Sequence, residues 1–318
     1  MRQLSDLIIE QNLDLKLPRK KRNTIRAVIL YKDEVLMLYS DVFKDYTFPG
    51  GGKTESESEL EALNRELKEE LGAINLVVIE KIGFIDEVRF GLKGSDSVYD
   101  QHSVYYLVEV KEFGERQLTD LEKAEKIVAK WVKIDDAIKQ NENVVGDKNH
   151  QKDGYKTVIL RENAVLKYLL KHVVRYFDIV DDYQNQKINL PTKQTKSSAG
   201  YDFEAASDTK VEPGEITLVP TGIKACFPKQ EVLYLYARSS LPIKKGLIMP
   251  NGVGVIDADY FNNQNNEGHI FVQVYNFTKQ QVLIKKGERL AQGVFQEFKI
   301  TLGDKVTATR KGGFGSSD

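Results

Sequence analysis

The hydrophobic period of the chain changes once, at Val173 to Arg175, and the two sides of that break call for different architectures. Before it, strand-like alternation is interleaved with helical periods. Residues 26–31 and 34–39 read as two strands around a Lys32-Asp33 turn. A glycine-rich loop, Phe48 to Lys53, leads into a helical period that begins near Ser56 and stops at Gly72, a natural C-cap. Further strands are predicted at 76–79, 82–88, 103–110 and 131–134, with helices over 134–140 and 158–174. Such interleaving predicts an α+β layer structure. After the break, short strands alternate with turn signals and helical signals nearly vanish; 176–180, 201–203, 216–219, 232–236 and 269–275 all fit strands. That pattern predicts an all-β sandwich or barrel. Two domains suit a chain of 318 residues. The expected boundaries are an N-terminal extension at 1–21, a first domain at 22–173 and a second at 174–318.

Composition narrows the partners. Lys and Arg total 46 against 47 Asp and Glu, a net charge of -1, so no global basic field points to nucleic acid. The single Cys226 excludes an internal disulfide, which suits a reducing cytosol, and it is expected to be a small core residue. No apolar run approaches the roughly 20 residues that span a bilayer, and the first residues lack a hydrophobic signal region. A cytoplasmic location without a membrane partner is therefore expected. Arg19-Lys20-Lys21-Arg22 reads as a solvated approach to the first strand, and the four histidines form no ligand pattern.

The helix after Gly52 carries the first chemistry. At about 100° per residue, Leu60, Leu63, Leu67 and Leu71 form one stripe, expected to face the core. Glu66, Glu69 and Glu70 cluster on another face as i, i+3 and i+4 neighbours. Like charges at that spacing repel, and the helix C-terminus disfavours anions. A solvated acidic face is the plain alternative; a hard divalent cation held by the carboxylates would resolve the repulsion. Gly51, Glu57 after five intervening residues, Arg65-Glu66-Leu67 after seven more, then Glu69-Glu70 and Gly72, match the Nudix box at its fixed positions, with Ala73 at the final aliphatic place. Thr54 and Ser56 stand where the wider family often has Glu and Gly. From about residue 22 to 173 the chain resembles a Nudix hydrolase. The resemblance implies an α+β fold with a mixed sheet sandwiched by helices, and Mg²⁺, or alternatively Mn²⁺, on Glu66, Glu69 and Glu70. It also implies that these carboxylates orient the attacking water, that Arg65 orients Glu57, and that the Gly50-Gly51 loop approaches the metal or phosphate. Glu122 and Glu125 are candidates for a further ligand. Tyr99, Tyr105 and Tyr106 either line a base pocket or belong to the core.

The second domain spreads its polar residues over five segments, each weak alone. They are Ala199-Gly200-Tyr201-Asp202; Arg238-Ser239-Ser240; Asn251-Gly252 through Asp257 to Tyr260; Gly287 to Gln292; and Arg310 to Ser317. Arg238 with two hydroxyls is a reasonable phosphate cradle. Asn251-Gly252 reads as a type I′ hairpin turn that could present backbone groups to a pyrimidine edge. In this order the five segments resemble those of trimeric dUTPases, and the insertion 262–267 looks most like the dUTPases of Gram-positive bacteria. The resemblance implies a jelly roll or β-sandwich and a homotrimer with each site shared between chains. Mg²⁺ would be bound mostly through the triphosphate. Asp257 would be the general base, with Asn251 reading uracil and Tyr260 excluding a 2′-hydroxyl. Arg238, Ser239, Ser240 and Gln292 would contact phosphate, supported by Asp202. A closing tail at 310–318 would bring Phe314 onto the base and Arg310, Ser316 and Ser317 onto the phosphates.

Together these readings give a bifunctional nucleotide pyrophosphohydrolase. One domain would convert dUTP to dUMP and pyrophosphate. The other would cleave a further nucleoside diphosphate derivative, an oxidised deoxynucleoside triphosphate being one candidate. The alternatives are a dUTPase with a regulatory or structural Nudix domain, a nucleotide-binding regulator, and a dCTP deaminase, which shares the β fold but lacks the Phe/Arg tail.

Overall fold

The computed structural model describes residues 2–14, 16–91, 95–304 and 313, without the side chains of 95 and 96. The chain forms two compact units, Met1–His172 and Val173–Asp318. Arg310, Phe314, Ser316 and Ser317 lie outside the described residues.

Unit 1 contains β1 (Ile8–Ile9), β2 (Arg19–Val28), β3 (Leu30–Tyr31), β4 (Glu34–Ser40), β5 (Tyr46–Thr47), β6 (Gly50–Gly52), α1 (Glu59–Leu71), β7 (Ala73–Gly91), β8 (Ser95–Phe113), α2 (Asp120–Ala124), β9 (Ile127–Lys133), α3 (Ile134–Val144) and α4 (Val158–His172). One sheet runs β1-β7-β8-β2-β6 and is mixed: β1 is parallel to β7 and β2 to β8, while the other pairs are antiparallel. β4 pairs with β3, β5 and β9 in a second, antiparallel sheet. α1 buries Ala62, Leu63, Leu67 and Leu71 against Ile25, Ala27, Val104 and Val108. Leu60 departs from the expected stripe: it is 46% exposed, at the edge of the face on which Leu63, Leu67 and Leu71 are buried. The expected extension at 1–21 is part of this unit. β1 adds to the sheet edge, Glu10 is buried, and β2 already starts at Arg19, so the basic cluster is strand rather than approach. The strands expected at 76–79 and 82–88 are one continuous β7, bulged between Val78 and Gly83.

The sheet face opposite α1 holds a buried polar network. Arg161 on α4 donates to Glu87 (2.7 Å) and Glu162 (2.5 Å), and Gln101 donates to Glu87 (2.8 Å). The other Glu162 oxygen accepts from Phe48 N (3.1 Å), so α4 holds the strand that leads into the glycine loop. Buried charges of this kind are tolerable only when paired, as these are.

Unit 2 contains β10 (Tyr176–Ile179), β11 (Tyr201–Glu204), β12 (Thr209–Val211), β13 (Ile216–Cys226), β14 (Glu231–Ala237), α5 (Ser240–Lys245), β15 (Leu247–Ile248), β16 (Val253–Asp257), β17 (Ile270–Asn276), β18 (Val282–Ile284) and β19 (Arg289–Glu297). Two four-stranded antiparallel sheets, β10-β13-β17-β15 and β11-β19-β14-β16, enclose a core that includes Phe203, Val219, Leu233, Leu235, Val272 and Leu290. Strict alternation along β17 buries Ile270, Val272, Val274 and Asn276, the period-2 signature of a strand with one face inward. Cys226 is half-buried at the end of β13 rather than in the core. The strong β pattern hid α5, which opens at the Arg238-Ser239-Ser240 segment.

The Asn251-Gly252 turn corrects the hairpin reading. Gly252 N donates to Met249 O (3.1 Å) and Val253 N to Asn251 O (2.7 Å), and only Gly252 of the pair has positive φ. A type I′ turn needs positive φ at both central residues. The strands it joins lie in different sheets: β15 pairs with β17, and β16 with β14. Pro250, with φ fixed near −65°, drives the bend instead.

Candidate active sites

In unit 1 the capping box of Ser58 and Glu61 starts α1, and Gly72 (φ 68°) ends it. This places Arg65, Glu66, Glu69 and Glu70 beside the glycine loop. Arg65 organises the carboxylates. It donates to both oxygens of Glu57 (2.6 and 3.2 Å), to Glu66 (2.7 Å), to Glu69 (3.5 Å) and to Gly52 O (2.9 Å). The paired guanidinium, with Thr54 N also donating, pulls the Glu57 carboxyl down to about 2. The like-charge repulsion is thus offset by an arginine as well as by any cation. Glu70 is buried and turns to the loop, accepting from Gly50 N (2.6 Å); burial is the main cause that pushes its carboxyl up to about 8.

The loop requires its glycines. Gly50 has φ +121°, and a Cβ there would lie 2.2 Å from Ile25 O. A Cβ on Gly51 would lie 2.5 Å from the Glu66 carboxylate oxygens, so backbone and carboxylate touch only because that side chain is missing. Gly50→Ala is expected to cost roughly 1–3 kcal/mol of unit 1 stability through backbone strain. Gly51→Ala displaces only a flexible carboxylate and should change stability by less than about 0.5 kcal/mol. Calorimetry of both variants distinguishes these expectations; equal shifts would contradict them.

Glu66 and Glu70 converge on the loop and offer the hard oxygen donors that suit Mg²⁺. Arg65 holds Glu66 (2.7 Å) and, more loosely, Glu69 (3.5 Å). Among the described residues, no three His, Cys, Asp or Glu side chains are placed to hold a metal ion. Glu122 caps α2, accepting from Thr119 N (2.6 Å) and Oγ1 (2.7 Å), and its charge also reaches Glu70, helping to raise that carboxyl. Tyr105 is fully buried, and Tyr106 donates to Glu59, so both belong to the framework; Tyr99 lies under the Arg89 guanidinium. Arg26 was not foreseen. It donates to Phe48 O (2.8 Å) and Gly50 O, fixing the loop from β2. The available signal was an Arg at the head of the otherwise apolar stretch 26–31.

In unit 2 a cavity of about 280 Å³ is lined by Leu235, Met249, Asn251, Asp257, Tyr260 and Gly313, among others. Asp257 ends β16 opposite Val232, and Tyr260 closes the turn that follows. The other expected residues lie elsewhere. Asp202 is buried between Arg238 (3.5 Å) and Arg289 (3.1 Å), and Gln292 faces Asp202 across the β11–β19 ladder. Ser239 and Ser240 follow Arg238 into α5. None of Asp202, Arg238, Ser239, Ser240 or Gln292 lines the cavity. Along β14, Tyr236 pairs with Gln292 while Val232 pairs with Asp257. These positions are four residues apart, or about 13 Å at strand rise. Within one chain the set therefore divides into a cavity group and an arginine group. Arg289, in the fourth segment, had been given no role.

His269 stands behind the cavity. Its Nε2 accepts from Gly222 N (2.9 Å), so the ring is neutral, and burial lowers its ordinary value of 6.5 to about 4. The unfolded chain binds the proton near pH 6.5, the folded chain only near 4. Between those values protons favour unfolding. Stability is full above about pH 6.5 and falls as pH drops toward 4. The melting temperature of unit 2 should follow this course, with a shallower acid loss in His269→Gln; identical slopes in the two proteins would contradict it.

Among the described residues no helix is long and apolar enough to cross a membrane. Comparison with known proteins assigns both units. The NUDIX domain profile matches residues 20–152, and the dUTPase profile matches residues 186–318. Deoxyuridine 5'-triphosphate nucleotidohydrolase of Lactococcus lactis subsp. lactis is 53% identical over 146 residues, covering 45% of this chain and 97% of the relative. The protein of that name from Desulfitobacterium hafniense is 40% identical over 136 residues, covering 40% and 86%. The crystal structure of dUTPase from Streptococcus mutans matches with 51% identity and a TM-score of 0.39, over 40% of this chain and 98% of that one. The chain is a hydrolase of acid anhydrides that belongs to the dUTPase family and carries, N-terminal to its dUTPase domain, a NUDIX domain.

Proposed function

We propose that unit 2 hydrolyses dUTP to dUMP and pyrophosphate, and that unit 1 hydrolyses a second nucleoside diphosphate derivative. The observation that carries the first reading is the cavity that gathers Asn251, Asp257 and Tyr260. Its size suits one pyrimidine nucleoside. The turn at Asn251 offers backbone groups to the uracil edge, and the Tyr260 ring packs against the deoxyribose. Asp257 takes a proton from water as that water's oxygen bonds to the α-phosphorus. The bond to the bridging oxygen breaks, and pyrophosphate leaves. Arg238, Ser239, Ser240 and Gln292 hold phosphate oxygens, and Asp202 fixes Arg238 from behind. Arg310, Phe314 and Ser316, which lie outside the described residues, are assigned to the same nucleotide by the fifth segment they belong to. Mg²⁺, bound chiefly by the triphosphate, neutralises its charge.

The separation of the cavity and arginine groups within one chain is consistent with a site completed by another copy, and the assembly proposed is a homotrimer. Subunit mixing tests this. Asp257→Asn and Arg238→Ala chains, each nearly inactive alone, should regain a substantial fraction of dUTP turnover when unfolded together and reassembled. Mixtures no more active than their components would refute the shared site.

In unit 1, Glu66, Glu69 and Glu70 are the carboxylates that would hold Mg²⁺, which supplies Lewis-acid polarisation of the diphosphate. Arg65 and Glu57 fix their orientation, and Arg26 with Gly50 and Gly51 shapes the loop around them. A cytoplasmic setting suits both nucleotide substrates.

A further inference from the structure

Tyr260 forms a wall of the unit 2 cavity, and its position is imposed from outside the cavity. The phenolic hydroxyl donates to His269 O (2.9 Å) and accepts from Asn266 Nδ2 (2.7 Å). The backbone carbonyl of Tyr260 accepts from Asn263 Nδ2 (2.8 Å). The loop that supplies both amides is bonded to itself. Asn263 Oδ1 accepts from Asn265 N (3.0 Å) and Asn266 N (3.2 Å), while Asn266 Oδ1 accepts from Gly268 N (3.1 Å) and Asn263 Nδ2 (2.8 Å). Gly268 adopts φ +82°, and a Cβ there would lie 2.4 Å from Tyr260 O, so the loop presses directly on that residue. Glu267 ties it down, accepting from Lys224 Nζ (2.9 Å) and Asp181 N (3.3 Å). The polar run 262–267 is therefore a clamp that grips Tyr260 at its backbone and at its ring tip.

We propose that Asn266 is a positioning residue for sugar selectivity. It acts through the Tyr260 hydroxyl, holding the ring at the distance that admits a deoxyribose and rejects a 2′-hydroxyl. The inference rests on the dUTPase reading of the cavity. Its physical basis is the Asn266 bond at the ring tip. While it holds, the ring cannot retreat without breaking it; without it, the ring tip can pivot about the His269 oxygen, and admitting a ribose costs less. The worth of one such hydrogen bond corresponds to about a five- to tenfold change in a rate ratio.

The test is kcat/KM for dUTP and for UTP in the full chain, as wild type, Asn266→Ala, Tyr260→Phe and the double variant. Asn266→Ala should lower the dUTP/UTP ratio about five- to tenfold, mostly through a gain on UTP. Tyr260→Phe, which removes both hydroxyl bonds, should lower it by at least as much, and the double variant should fall no further than Tyr260→Phe alone. An unchanged ratio, equal losses on both substrates or additive effects in the double variant would each overturn the proposal. If Asn266→Ala fails to fold, Tyr260→Phe decides, since it leaves the loop's own hydrogen bonds in place: a retained ratio overturns the proposal. Absence of dUTP turnover in the wild type would instead remove the dUTPase reading, and this inference with it.

Discussion

Asp257→Asn is expected to reduce dUTP hydrolysis by about 10²–10⁴-fold, the range that a positioned general base contributes. The substitution keeps the shape of the side chain and removes its ability to take a proton. Asp257 sits at the end of β16, paired with Val232 and half-buried on the cavity wall. Its backbone contacts survive the change, so the melting temperature of unit 2 should stay close to that of the wild type. Unit 1 lies in a separate compact unit, and its activity should be unaffected. Retention of more than about a tenth of the dUTP turnover would assign the proton transfer to another group.

Arg65→Ala is expected to have the largest effect in unit 1. One guanidinium serves Glu57, Glu66, Glu69 and the Gly52 carbonyl. Without it, Glu57 before the helix and Glu66 and Glu69 on it lose their shared counter-charge. The loss of an orienting partner of this kind typically lowers metal affinity or activity by about 10–100-fold. The stability cost should be smaller, about 1–2 kcal/mol, because Arg65 is partly solvated and water screens the charges it leaves. Arg65→Lys should rescue little, since an ammonium cannot reproduce the two-pronged contact with Glu57. Mn²⁺ titration followed by calorimetry measures both effects; unchanged Mn²⁺ affinity would contradict the assigned role.

Much of this organisation could be read from residue spacing. α1 could be read because its leucine period and terminal glycine mark a helix, while the contact of Arg65 with Glu57 came from the resemblance to the Nudix box and not from the period. Leu60 was misplaced because period alone does not show how wide the buried face of a helix is. The turn at Asn251 was misread because residue type suggested a hairpin, while strand partners chosen far along the chain decided otherwise. Two features were not legible. Asn266 reaches Tyr260 only through a folded loop, and no local pattern marks that hydrogen bond. The separation of Asp257 from Arg238 and Gln292 depends on register along β14, which spacing in sequence does not express. Arg26 was visible as a charge in an apolar strand, but its target, the carbonyls of the glycine loop, was not.

The most direct test of the account is product analysis with Mg²⁺ on dUTP, dCTP, dTTP, UTP, dGTP and 8-oxo-dGTP, using wild type, Asp257→Asn and Glu69→Gln in parallel. The account predicts that dUTP is the one pyrimidine nucleotide efficiently converted to its monophosphate and pyrophosphate, and that Asp257→Asn abolishes this while Glu69→Gln does not. Any turnover lost only in Glu69→Gln identifies the unit 1 substrate. Intact dUTP after incubation with the wild type, or loss of dUTP hydrolysis in Glu69→Gln, would contradict it.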